Sequence, residues 1–267
     1  LLDRCSKLKA ICNIAVGYNN IDVAACTAHG VMATNTPGVL DDATADFTWT
    51  LILATARRLT EAEAYLRNGE WKGWHLKQLL GIDVYRATLG IFGMGRIGQA
   101  VARRAAGFEM KVLYSNRTRL DDVMERNCGA RYAAKEEILE NADIIALHLP
   151  YSPATHHFIG EAELARMKPT SILINVARGG VVDDEALIRA LRSGQILGAG
   201  LDVFENEPKL NPGFLELKNV VLAPHIASST RATRMAMAMT AARNLVAALK
   251  TGNPPNLINP DVRSKSQ

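Results

Sequence analysis

The sequence predicts an α/β protein with a doubly wound parallel sheet and a second, smaller α/β domain. Two observations carry this. From residue 88 onward, short apolar runs alternate with amphipathic helical stretches, as repeated β-α units do. Before residue 88 and after residue 230 the pattern changes. The two flanks therefore read as one domain built from both ends of the chain, 1–39 plus 231–267, around a central domain spanning 40–230. A hydrophobic content of 48% against 22% charged residues excludes wholesale disorder.

In chain order, 8–15 reads as a strand, 21–29 as a helix, and 31–33 as a strand that ends at Pro37-Gly38. One long helix follows from 43 to about 67. The segment 68–85 carries Trp71 and Trp74 with little periodicity, so it reads as an arm. Strands are expected at 88–92, 111–115, 143–149, 171–177, 199–204 and 220–223. Several are continuous apolar runs, as in Asp143-Ile144-Ile145-Ala146-Leu147, which is how strands buried on both faces read. Helices are expected at 97–106, 136–141, 161–167, 184–192 and 230–250, with Asp121 and Asp122 starting another.

Charge and cysteine usage narrow the function classes. The 31 Lys+Arg and 27 Asp+Glu leave a net charge of +4 with no basic block, so nucleic acid is not an expected partner. No apolar run reaches the roughly 18 residues of a membrane span. Cys5, Cys12, Cys26 and Cys128 form no C-x-x-C pair and no ligand-spaced cluster with histidine. Free thiols, a cytoplasmic location and no metal site are expected. No secretory leader is visible, and the chain starts at Leu1, so it is expected to begin inside a longer protein, with a targeting segment left open.

Gly93-Met94-Gly95-Arg96-Ile97-Gly98 follows a predicted strand and opens a predicted helix, the context that a dinucleotide-binding (Rossmann) loop needs. Its glycines allow a tight turn, close approach to a pyrophosphate, and helix-sheet packing. The second strand ends in Asn116-Arg117-Thr118-Arg119, where an NAD site would place an acid for the ribose hydroxyls. Asn116 and the neighbouring cations favour NADPH over NADH. Arg178, Glu207 and His225 each stand at the carboxyl end of a predicted strand, where ligands of open α/β sheets bind. Singly, each also reads as a surface charge, a loop acid or a satisfied core histidine. His156 and His157 lie in a loop with no partner acid at a telling spacing, and they, His29 and His75 read as ordinary residues.

Together with the glycine loop, these residues resemble the D-2-hydroxyacid dehydrogenase family. The likeness runs from Ala15-Val16-Gly17-Tyr18-Asn19-Asn20-Ile21-Asp22 to Asn259-Pro260 and includes His148-Leu149-Pro150 and Leu201-Asp202-Val203-Phe204-Glu205. Gly69-Glu70-Trp71-Lys72-Gly73-Trp74 and the Asn-Arg-Thr-Arg loop look most like the glyoxylate/hydroxypyruvate reductase branch. The resemblance implies a flavodoxin-like small domain, entered late, with its first strands and helices absent. It departs from the family at Asn19, where many relatives carry Asp, and at Asp46, where Glu is more usual.

The family's roles carry over where the motifs match. Arg178 would bind the substrate carboxylate and keto oxygen, backbone N–H groups of Val16 and Gly17 would hold the carboxylate's other side, and Trp74 would reach the pocket of a partner subunit. His225 would donate the proton, with Glu207 pairing its ring. Thr44, Gly93, Gly95, Arg96, Ile97, Gly98, Asn116, Arg117, Thr118, His148, Pro150, Thr155, Ala177 and His225 would line the cofactor, and Asp202 would face the nicotinamide amide. The implied activity is NADPH-dependent reduction of glyoxylate and hydroxypyruvate by a homodimer. A 2-ketogluconate reductase and a non-catalytic nucleotide-sensing protein of the same fold are the alternatives. A phosphoglycerate dehydrogenase fits less well, because it would favour NAD.

Overall fold

The computed structural model describes residues 2–265, and the chain divides into two compact units: Leu1–Ala43 with Ser228–Gln267, and Thr44–Ala227. In chain order the elements are β1 (Ala10–Cys12), α1 (Val23–Ala28), β2 (Met32–Thr34), α2 (Asp41–Ala56), α3 (Leu59–Arg67), β3 (Thr88–Phe92), α4 (Arg96–Ala105) and β4 (Lys111–Ser115). Then come α5 (Asp122–Cys128), β5 (Ala130–Tyr132), α6 (Lys135–Asn141), β6 (Ile144–Leu147), α7 (Glu161–Arg166), β7 (Ile172–Asn175), α8 (Asp184–Ser193), β8 (Gly198–Leu201), β9 (Val220–Leu222) and α9 (Arg231–Thr251).

In the smaller unit, β1 and β2 pair in parallel from Ala10↔Met32 to Cys12↔Thr34. The expected strand 8–15 is shorter than predicted. After Cys12 the chain bends, and the Asn13 side chain closes the bend by donating to the Gly17 carbonyl at 2.7 Å. Asp22 caps α1 by accepting from Ala25 N–H at 2.8 Å, supplying an acceptor for a donor that the helix itself cannot satisfy. Asn259, from the far end of the sequence, is buried here. Its Oδ1 accepts from Ala33 N–H (2.8 Å), and its Nδ2 donates to the Val31 carbonyl (2.9 Å) and to Thr27 Oγ1 (3.1 Å).

The larger unit holds a seven-stranded parallel sheet in the order β5-β4-β3-β6-β7-β8-β9. Strand order reverses between β3 and β6. One face is covered by a core that includes Trp49, Ile52, Val101 and Ala105, the other by a core that includes Ile138, Leu164, Leu187 and Leu191. The strands between them, β6 and β7, are buried along their whole length, which is why they read as unbroken apolar runs. Those runs outlast the ladders. The predicted 143–149 and 171–177 pair only over Ile144–Leu147 and Ile172–Asn175, because the chain leaves the sheet at its carboxyl edge.

The single long helix expected at 43–67 is instead two, α2 and α3, broken at Arg58, whose φ is 50°. The Ala56 carbonyl accepts from Ile82 N–H of the returning chain at 3.0 Å, so the helical ladder stops there. Gly81 passes so close that a β-carbon would collide with that carbonyl. Strand β5 was not anticipated: three residues with Arg131 in the middle carry no readable pattern. The arm 68–85 has no regular element, and Trp71, Trp74, Leu76 and Leu80 are exposed on it. The four cysteines are free thiols. Among the described residues no helix is long and apolar enough to cross a membrane.

Candidate active site

The glycine loop lies where strand order reverses, between the carboxyl ends of β3 and β6. Gly93 has φ 98°, and a β-carbon on it would lie 2.6 Å from the His148 carbonyl carbon at the end of β6. Gly98, in the first turn of α4, packs so close to the Gly93 carbonyl that no side chain fits. Gly95 differs from both. A β-carbon there would meet nothing within 4 Å, and no side chain caps the α4 N-terminus at Gly95. Orphan N–H groups of a helix start facing open space make a site for a phosphate anion. His148 beside them has both ring nitrogens buried without a hydrogen-bond partner, and burial pushes its imidazole down to about 4, so the ring is neutral at pH 7. The loop fits a dinucleotide.

After β4 the Asn116 Nδ2 donates to the Thr118 carbonyl at 2.9 Å, and Arg117 and Thr118 are exposed. Arg119 is committed elsewhere. Its guanidinium forks onto Glu125 at 2.8 and 2.9 Å, and Glu125 also accepts from the buried Tyr114 hydroxyl at 2.7 Å. That pairing holds the Glu125 carboxyl at about 2, while burial first and Glu125 second push Tyr114 up to about 12. Asp121 caps α5, accepting from Met124 N–H at 2.8 Å. Thr155 Oγ1 donates to the Pro150 carbonyl at 2.8 Å, and Thr44 is buried in the first turns of α2.

Three loops at the carboxyl ends of β7, β8 and β9 bring the remaining candidates together. Asn175 ends β7 and shapes the first loop: its Oδ1 accepts from Ala177 N–H (3.0 Å), and its Nδ2 donates to the Arg178 carbonyl (3.2 Å). Arg178 Nη1 donates to the Ala177 carbonyl at 2.7 Å. Burial pushes its guanidinium down from its ordinary value, opposed by the charge of Glu207. Gly179 touches the Phe204 carbonyl so closely that a β-carbon is excluded, which presses the first two loops backbone to backbone. In the second loop Glu207 Oε1 accepts from Phe204 N–H at 3.0 Å, and its Oε2 meets His225 Nδ1 at 2.8 Å.

His225 itself has φ 54°, a left-handed backbone, and its N–H reaches the Asp202 carbonyl at 2.9 Å. The fully buried Asp202 carboxylate accepts from Ile226 N–H (2.7 Å) and Ala227 N–H (2.8 Å), and its pKa is raised by burial against those two bonds. Asp202 thus fixes the turn that presents His225. This role, and that of Asn175, was not read from the sequence. The only signal was a polar residue closing an apolar strand run.

Val16 and Gly17 belong to the other unit, where their carbonyls accept from Asn35 Nδ2 (2.8 Å) and Asn13 Nδ2 (2.7 Å). Trp74 is exposed on the arm. His157, expected to be an ordinary loop residue with no partner acid at a telling spacing, has a partner that only the fold brings near: its Nε2 lies 2.6 Å from Glu205 Oε1, 48 positions away. His29 bonds the Ala25 carbonyl and Asp3 at 2.9 Å each, and His75 is exposed.

Residues 49–227 match the model of the D-isomer specific 2-hydroxyacid dehydrogenase NAD-binding domain. A glyoxylate reductase of Thermococcus litoralis is 53% identical over 270 aligned residues, covering 100% of this chain and 81% of its own. A solved glyoxylate reductase from Paecilomyes thermophila superposes with a TM-score of 0.87 at 40% identity, covering 95% of this chain and 76% of its own. An NADPH-dependent glyoxylate/hydroxypyruvate reductase from Sinorhizobium meliloti, solved with NADP and malonate, gives 0.89 at 37% identity, covering 98% and 80%. The chain is an enzyme of the D-isomer specific 2-hydroxyacid dehydrogenase family.

Proposed function

We propose that the protein reduces small 2-oxo acids, glyoxylate and hydroxypyruvate first, to their 2-hydroxy acids with NADPH. The observation that carries this reading is the Glu207–His225 contact at 2.8 Å, with Arg178 close enough to feel the same carboxylate. The names of the similar enzymes support the substrate class. When bound, the nicotinamide supplies a hydride. Arg178 binds the substrate carboxylate and keto oxygen through its planar fork and stabilises the negative charge that develops on that oxygen. Glu207 occupies the Nδ1 edge of His225, which leaves Nε2 as the edge that delivers a proton to the forming alkoxide. The His225 side chain is 48% exposed, so that edge is open to a substrate.

NADPH is favoured at the end of β4. No acid stands at position 116 to repel a 2′-phosphate, Asp121 is spent as a helix cap, and Arg117 is exposed beside it. Because Arg119 is held by Glu125, Arg117 is the cation assigned to the phosphate. A charged hydrogen bond contributes about 1.5–3 kcal/mol. Arg117→Ala is therefore expected to cost roughly 10- to 100-fold in NADPH-over-NADH discrimination, mainly through KM. The direct test follows the near-ultraviolet absorbance of each reduced cofactor after glyoxylate, hydroxypyruvate or 2-ketogluconate is added. Turnover with NADPH and either small acid supports the proposal. Tight NADPH binding without turnover on any of them points to a sensor, faster 2-ketogluconate turnover to that reductase, and equal use of NADH overturns the cofactor assignment.

A further inference from the structure

His156 and His157 follow the short 3-10 turn Pro153–Thr155, and their rings stack with centroids 3.9 Å apart and planes 25° from parallel. Stacked imidazoles make no hydrogen bond to each other, so their edges are free for other partners. The Glu205 carboxylate meets one such edge, His157 Nε2, at 2.6 Å. One ring nitrogen of each histidine and one Glu205 oxygen all lie within 4.8 Å of one another. We propose that His156, His157 and Glu205 form a binding site for a divalent transition metal of the zinc class.

The donor set suits that ion. Two imidazoles and a carboxylate are the three-ligand protein set of open zinc sites, with the fourth position left to water. Tetrahedral bonds of about 2.0–2.1 Å place ligand atoms about 3.3 Å apart. The His157–Glu205 pair must open slightly from 2.6 Å, and the exposed His156 ring must swing in. On binding, the ion replaces the proton now shared by His157 Nε2 and Glu205 Oε1. That proton leaves to water or moves to His157 Nδ1, which has Asp183 Oδ2 at 3.8 Å to face it. The outer contacts are of the orienting kind. Tyr151 Oη lies 3.3 Å from His156 Nδ1, and Glu205 N–H donates to Asp184 Oδ2 at 3.1 Å. Three carboxylates, those of Asp183, Asp184 and Glu205, crowd this corner, so its local charge favours a cation.

Such an ion would tie the loop carrying His156 and His157 to the loop carrying Glu207, two residues beyond Glu205. The test titrates zinc chloride into the untagged, chelator-treated protein against a chromophoric zinc indicator, with thermal melting as a second readout. One equivalent bound per chain and a raised Tm are expected. His156→Ala, an exposed site that leaves folding intact, should weaken binding by at least tenfold and remove the Tm rise. His225→Gln should retain both. Zinc binding that survives His156→Ala, or that is lost in His225→Gln instead, overturns the proposal, as does no binding at all. None of these outcomes depends on the substrate or cofactor reading.

Discussion

In the proposed mechanism His225 and Arg178 divide the chemistry between a proton and a charge, and each has a substitution that separates its role from packing. Glutamine at position 225 keeps a polar side chain near Glu207 but cannot deliver a proton. His225→Gln should leave NADPH affinity within a few-fold and lower kcat by roughly 10²–10⁴, the usual range for a positioned general acid. Near-normal turnover would remove His225 from the mechanism. Arg178→Lys keeps the charge but not the two-pronged geometry. Its kcat/KM should fall by roughly 10- to 100-fold, the equivalent of one charged hydrogen bond, and an unchanged value would count against the clamp. The positions of these residues at strand ends were legible from the apolar runs before them, while their roles were implied only by the family resemblance. Their supports were not. Asp202 is expected to face the nicotinamide amide, and no pattern in the sequence signals that both its oxygens bond to the backbone of the His225 turn. Glu205 and His157 are 48 positions apart, a distance across which spacing carries no signal.

Helix α5 and strand β4 are held together by Glu125, which joins Tyr114 at the strand to Arg119 in the loop between them. The folded Glu125 carboxyl sits at about 2 against an ordinary 4.5, so the fold favours the charged form. Its stabilisation is complete above about pH 4.5 and fades as pH falls towards about 2. Glu125→Gln should therefore lower Tm at pH 7, with the deficit shrinking between pH 4.5 and 2. Melting followed by circular dichroism across that range checks it, and a deficit independent of pH would refute the assignment. Elements of this size show where periodicity serves and where it fails. The buried strands β6 and β7 were legible from their apolar runs. The break between α2 and α3 was not, because the group that stops α2 is Ile82 N–H, supplied from the arm 26 residues after Ala56.

At the scale of the whole molecule, the arm 68–85 exposes Trp71, Trp74, Leu76 and Leu80 in one stretch of sequence. Large apolar side chains at such density are costly in water and suit an interface core. A homodimer is expected on that ground, two-fold pairing being the commonest closed arrangement. Light scattering at micromolar concentration should give twice the chain mass of 29.0 kDa, and a monomer mass would reject the arm as an interface. The two-unit division has a further consequence in the order of synthesis. Asn259 bonds to Thr27, Val31 and Ala33 across 226 to 232 positions, while the sheet of the larger unit is complete by Leu222. On the ribosome, β1 and β2 must wait, their short sheet unsealed, until Asn259 emerges. The nucleotide-binding half, begun later, has all its strands available sooner. The smaller sheet is thus made before the larger one and sealed after it.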